Sequence, residues 1–114
     1  MHKNLDIWKL GINLVIKIYE TTLTFPSSEQ FGLSSHMQRA AVSIPSNIAE
    51  GAAHNSIKEY IQFLFISLSS LSELETQLMI ANRLDYFHNS TIFVNIEKLR
   101  RKLLNFIKYV KEKC

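Results

Sequence analysis

The segment RAAVSIPSNIAEG, Arg39 to Gly51, sets a proline in the middle of a helical pattern. Met37, Ala41, Ile44 and Ile48 recur at three–four spacing on one side. Arg39, Ser43, Ser46, Asn47 and Glu50 fall on the other. Because the apolar register carries on across Pro45, the helix is expected to continue too, kinked at that point. A proline there removes one amide donor and crowds the carbonyl of Ala41, four residues back. The cost in a regular helix is about 3 kcal/mol. Arg39, Pro45, Asn47 and Glu50 are therefore expected in a structural role, as a polar packing or subunit network around the kink, and not in an active site. The small Ala40 and Ala41 would let another backbone approach closely.

Working outward, this second helix begins near Gly32, with Ser34 or Ser35 as its cap, and Gly51 is a plausible stop in the left-handed conformation. A first helix is predicted from about Leu5 to Leu23, where Leu5, Trp8, Ile12, Val15, Tyr19 and Leu23 mark one face; Ile7, Leu14 and Ile18 lie off it. Pro26 then breaks the chain. The third helix starts around Ser56 in an S-x-x-E capping box with Glu59. Its seam is Ile57, Leu64, Leu71 and Leu78, supported by Ile61, Leu68 and Leu74. Between Tyr60 and Leu68, apolar residues occupy nearly all sides, which implies burial on two faces, one of them a candidate subunit interface. A fourth helix, from about Thr91 to Lys113, carries Ile92, Ile96, Leu99, Leu103, Phe106 and Val110 at alternating four–three spacing. Phe93, Leu104 and Ile107 form a second strip beside that seam. With Phe63 and Ile66 of the third helix, these three are the candidate apolar interface residues.

Four long helices with short connections predict an all-α, up-down-up-down four-helix bundle with a Pro-kinked second helix. At 114 residues the chain suits a single domain over residues 1–114, and only 3 Gly and 2 Pro leave little room for an all-β fold. The lone cysteine, Cys114, cannot form an intramolecular disulfide and suits a reducing cytoplasm. No stretch is apolar enough for a membrane span, so no membrane partner is expected.

The chemistry-bearing residues do not gather into a catalytic pattern. The Glu-x-x-His motif that supplies metal ligands in di-iron bundles is absent, and the four histidines fall at predicted ends or loops. Three scattered glycines cannot make a phosphate loop. The serine-rich run Ile66 to Glu75 lacks a G-x-S-x-G context and suits close helix packing instead. No enzyme activity, cofactor or metal is expected. Charge is more informative. The chain carries +3 overall, yet from Glu97 to Cys114 seven basic residues face two acidic ones. Lys98, Arg100, Arg101, Lys108 and Lys111 lie opposite the apolar seam of the fourth helix. They form either a solvated face or a phosphate-binding one, able to release counterions without reading bases.

The central string resembles the signature of the 23S rRNA-intervening-sequence proteins, and more distantly the accessory proteins of diversity-generating retroelements. DIWK (Asp6 to Lys9), FPSSEQFGL (Phe25 to Leu33), KEYIQFL (Lys58 to Leu64) and SLSELETQL (Ser70 to Leu78) fit the same pattern in order. The resemblance implies a four-helix bundle that assembles as a ring-like homopentamer. It also implies a gene within a bacterial rRNA gene insertion or related mobile context; it implies no enzymatic activity. The expected function is that of a non-enzymatic homo-oligomeric bundle binding structured RNA through the basic surface of its fourth helix. The alternative is a protein–protein interaction module without nucleic-acid binding.

Overall fold

The three–four apolar spacing is realised as four helices: α1 (His2–Thr22), α2 (Leu33–Ala52), α3 (Ile57–Arg83) and α4 (Ser90–Lys111), with one 3-10 turn at Ser27–Glu29. The computed structural model describes residues 2–113. Met1 and Cys114, with the terminal thiol, lie outside the described residues, as do the side chains of His2 and Lys3. Among the described residues there are no strands, and no helix among them is long and apolar enough to cross a membrane.

Each helix packs on the next, and α4 closes back on α1. Contacts run in opposite senses along neighbours. Thr22 meets Gln38, while Gly11 meets Pro45. Ser43 meets Ser70, while Gly51 meets Tyr60. Glu75 meets Arg100, while Tyr60 meets Phe106. One apolar core runs through the centre. It takes Met37, Ala41, Ile44 and Ile48 from α2, and Leu64, Leu71, Leu74 and Leu78 from α3. From α4 it takes the whole predicted seam: Ile92, Ile96, Leu99, Leu103, Phe106 and Val110.

The first helix differs from its expected orientation. Ile7, Leu14 and Ile18 face the core, and Ile18 is 0% exposed. Most of the face expected to be buried looks outward instead: Leu5, Trp8 and Tyr19 are exposed and Leu23 is 85% exposed, while Ile12 and Val15 are half-buried, Val15 against the edge of the core. Both faces of α1 are apolar, about 100° apart around the axis, so periodicity alone favoured the one with more members. Packing chose the other because it carries Gly11. A Cβ at Gly11 would lie 3.3 Å from Pro45 Cβ. The missing side chain thus lets α1 settle against the buried proline ring.

Pro45 stands inside a continuous α2. Side chains reach the carbonyls beside it. Asn47 Nδ2 donates to Ser43 O at 2.8 Å and to Ser43 Oγ at 2.9 Å, and Ser67 Oγ donates to Ile44 O at 2.8 Å. Ser43 and Ser70 hydroxyls pair at 2.8 Å across the α2–α3 interface. The serines of α3 therefore serve close packing, since Ser67 and Ser70 are both buried. Gly51 differs from expectation: no described glycine has a positive φ, and α2 continues to Ala52. A Cβ there would sit 2.7 Å from Tyr60 Cδ1 and 2.9 Å from Phe63 Cβ. Close approach to α3, not termination, requires the glycine.

The ends are capped locally. Ser56 Oγ accepts from Glu59 N, as the capping box predicts. Asn89 Oδ1 accepts from Thr91 N to start α4. Asp85, at φ 62°, ends α3 with Tyr86 N donating to Ala81 O and Asp85 N to Asn82 O. Neither Ser34 nor Ser35 caps α2. Its N-cap is Gly32, without a side-chain bond, and Glu29 Oε1 accepts from Leu33 N at 3.2 Å instead.

The other Glu29 oxygen accepts from Tyr86 Oη at 2.8 Å. One carboxylate therefore ties the start of α2 to the α3–α4 connection, where Phe25 packs on Tyr86 and Phe87. Glu29→Ala should lower unfolding free energy by about 1 kcal/mol through the lost cap alone, read from denaturant melts. The hydrogen bond to Glu29 raises the Tyr86 phenol above its ordinary value, with burial and the carboxylate charge adding to it. A raised folded value means that this contribution is complete below about pH 10 and disappears as pH climbs through the folded value. The alkaline loss should be smaller in Glu29→Ala; an identical pH profile would rule out the coupling.

Candidate nucleic-acid interface

The basic residues of α4 do not form one face. Their surroundings divide them. Arg100 is half-buried, and its guanidinium donates to Glu97 on its own helix and to Glu75 on α3. Burial works against the charged form, but the two carboxylates outweigh it and hold Arg100 above its ordinary pKa. Its charge is spent on holding α3 to α4. Lys111 also leans toward α3, its Nζ 5.2 Å from the centre of the exposed Phe65 ring, a cation–π arrangement. Lys98, Arg101 and Lys108 are exposed, and no carboxylate lies within 4 Å of them among the described residues.

On the opposite flank α4 meets α1, and the two leave a trough between them. A depression of about 420 Å³ is lined by Asn13, Lys17, Asn95 and Lys98. It continues into one of about 220 Å³ that shares Asn13 and Lys98 and adds Lys9 and Lys102. A third, of about 270 Å³, shares Lys102 and adds Asn105. Four ammonium groups thus face two carboxylates, Asp6 and Glu20. Glu20 stands 4.0 Å from Lys17, and both are well exposed. Lys9 and Lys102 have no carboxylate within 4 Å among the described residues.

Sequence reasoning missed Lys9, Lys17 and Lys102. On an isolated wheel Lys102 flanks the seam instead of opposing it. The lysines of α1 become neighbours of α4 only once Ile7, Leu14 and Ile18 are known to point inward. A corrected first helix was the signal needed.

The expected interface residues also separate. Ile107 is 3% exposed and belongs to the core, so it cannot contact a partner. It lies on the α3 side of α4, where the narrow seam widens to meet the neighbouring helix. Pro45 is buried against Gly11 within the bundle. Phe63 is half-buried beside the His54 ring at 5.0 Å, and Phe93 is half-buried against Phe87 at 6.3 Å. Ile66 and Leu104 are exposed. Arg39 is exposed and, with His36, Ser43, Ser70 and Glu73, lines a shallow depression between α2 and α3. Asn47 bonds within its own helix, and Glu50 is exposed. Among the described residues, no three His, Cys, Asp or Glu side chains gather as metal ligands.

The family model of the 23S rRNA-intervening sequence proteins matches residues 3–108. The chain belongs to that family. A crystal structure of a protein of unknown function from the S23 ribosomal protein family of Bacteroides thetaiotaomicron superposes with a TM-score of 0.84 at 22% identity. That match covers 93% of this chain and 98% of the other. At that identity the likeness establishes the shared four-helix fold. No curated protein matches the sequence. Family membership brings with it a bundle and no assigned chemistry.

Proposed function

We propose that this 23S rRNA-intervening-sequence protein is a non-enzymatic, cytoplasmic, self-associating bundle that binds structured RNA through the cationic surface of α4. The observation that carries the reading is the set of exposed, carboxylate-free cations Lys98, Arg101 and Lys108. Unpaired cations on a long helix gain by taking phosphates and releasing condensed counterions. Arg100 plays no part in this surface, because Glu75 and Glu97 occupy it. Self-association, with a homopentamer as the expected stoichiometry from the family resemblance, is supported by the apolar exterior. Leu5, Trp8 and Tyr19 on α1, Leu23 just beyond its end, and Phe65 and Ile66 on α3 all stand in solvent in the single chain.

RNA binding by the light-scattering-sized protein should be tight at about 50 mM salt and fall steeply by about 200 mM. Absence of binding at the lower salt would refute the RNA reading. The same apolar exterior favours a second reading, in which a different protein docks there and no nucleic acid is involved. Affinity insensitive to salt, with a copurified protein partner, would favour that one.

A further inference from the structure

The trough between α1 and α4 is a more particular site than a basic helix face. We infer that it is the track for an RNA backbone, with the lysines taking phosphates and the asparagine amides taking ribose 2′-hydroxyls. This rests on the RNA-binding reading above and sharpens it.

The lining carries the inference. Lys9 and Lys17 come from α1, Lys98 and Lys102 from α4, so positive charge stands on both walls. Between Asp6 and Glu20 the α1 wall runs for about 21 Å at 1.5 Å per residue, long enough for several consecutive phosphates. Asn13, Asn95 and Asn105 are exposed along the same trough. A carboxamide both donates and accepts, which matches a 2′-hydroxyl, itself donor and acceptor. A phosphate oxygen uses only the donor half of that pairing; a 2′-hydroxyl uses both. Single-strand readers place aromatic platforms in their channels so that bases can stack. Among the described residues, the one aromatic side chain lining the three depressions is Phe106, which is buried in the core. The trough therefore fits the outside of a folded RNA, met through sugar and phosphate, and not unstacked bases. Glu20 lines only the depression at one end, while Asp6 lines the middle one, where it stands as a single carboxylate against Lys9, Lys98 and Lys102.

Binding of a fluorescent RNA hairpin and of the DNA hairpin of the same sequence, followed by anisotropy across a salt series, tests this. Lys98→Glu with Lys102→Glu should weaken RNA binding at least tenfold and reduce the salt slope by about two, one unit per lost phosphate contact. Lys58→Glu with Arg83→Glu, both exposed on α3, changes the net charge equally but lies off the trough and outside the basic surface of α4, and should cost much less. Asn13→Leu with Asn105→Leu, at exposed positions that leave the fold intact, should bring RNA affinity down toward that for DNA. Equal loss in the two charge-reversed proteins, or unchanged RNA preference in the asparagine variant, would overturn the trough while leaving RNA binding in place. A wild-type protein that ignores the RNA hairpin at low salt would overturn both.

Discussion

Ile18→Ala should destabilise the protein by about 2–5 kcal/mol, whereas Leu23→Ala should change its stability by no more than about 0.5 kcal/mol. Ile18 has no exposed surface and packs in the common core. Its truncation loses the transfer energy of the removed carbons and leaves a cavity that four long helices cannot collapse around. Leu23 stands almost entirely in solvent at the end of α1. Denaturant melts at low protein concentration distinguish the two. The reverse order of effects would mean that α1 buries the Leu5–Leu23 face after all. A Leu23→Ala effect that appears only at high protein concentration would instead report burial between copies of the chain.

Gly51→Val should cost about 3 kcal/mol, and Gly51→Ala a smaller part of that. The first added carbon already lies within 3 Å of Tyr60 Cδ1 and Phe63 Cβ. Phe63 Cβ cannot rotate away, because it is fixed to the α3 backbone; the helices must separate. Alanine recovers up to about 1 kcal/mol of helix propensity relative to glycine, which offsets some of the overlap. Gly11→Ala makes a useful comparison. It brings the same propensity gain against a contact of 3.3 Å, and should be within about 1 kcal/mol of neutral. Both changes are read as shifts in the denaturant midpoint at constant slope. Equal effects at the two glycines would mean that helix spacing around Gly51 is softer than the packing of Tyr60 and Phe63 indicates.

The candidate site was only half legible in the sequence. A +5 tail segment is visible in any count of charges, and Lys98, Arg101 and Lys108 are indeed exposed. The pairing of Arg100 with Glu75 depends on two residues 25 positions apart. A wheel of the fourth helix has no place for it. The trough is equally non-local, since half of its lysines come from the other end of the chain.

What the amino-acid pattern determined by itself was the number of helices, most of their limits and the buried faces of α2, α3 and α4. On α2 a single apolar seam dominates, on α3 and α4 the long seam outranks a shorter second strip, and Ser56 caps the start of α3 through a bond made within three positions. Tertiary structure decided the rest. On α1 two apolar faces compete, and the choice between them was made by Gly11 fitting against Pro45, a contact across 34 residues of chain. The same contact settled which lysines stand beside α4. Local periodicity records what a helix can bury; only the neighbour it meets determines which face is buried.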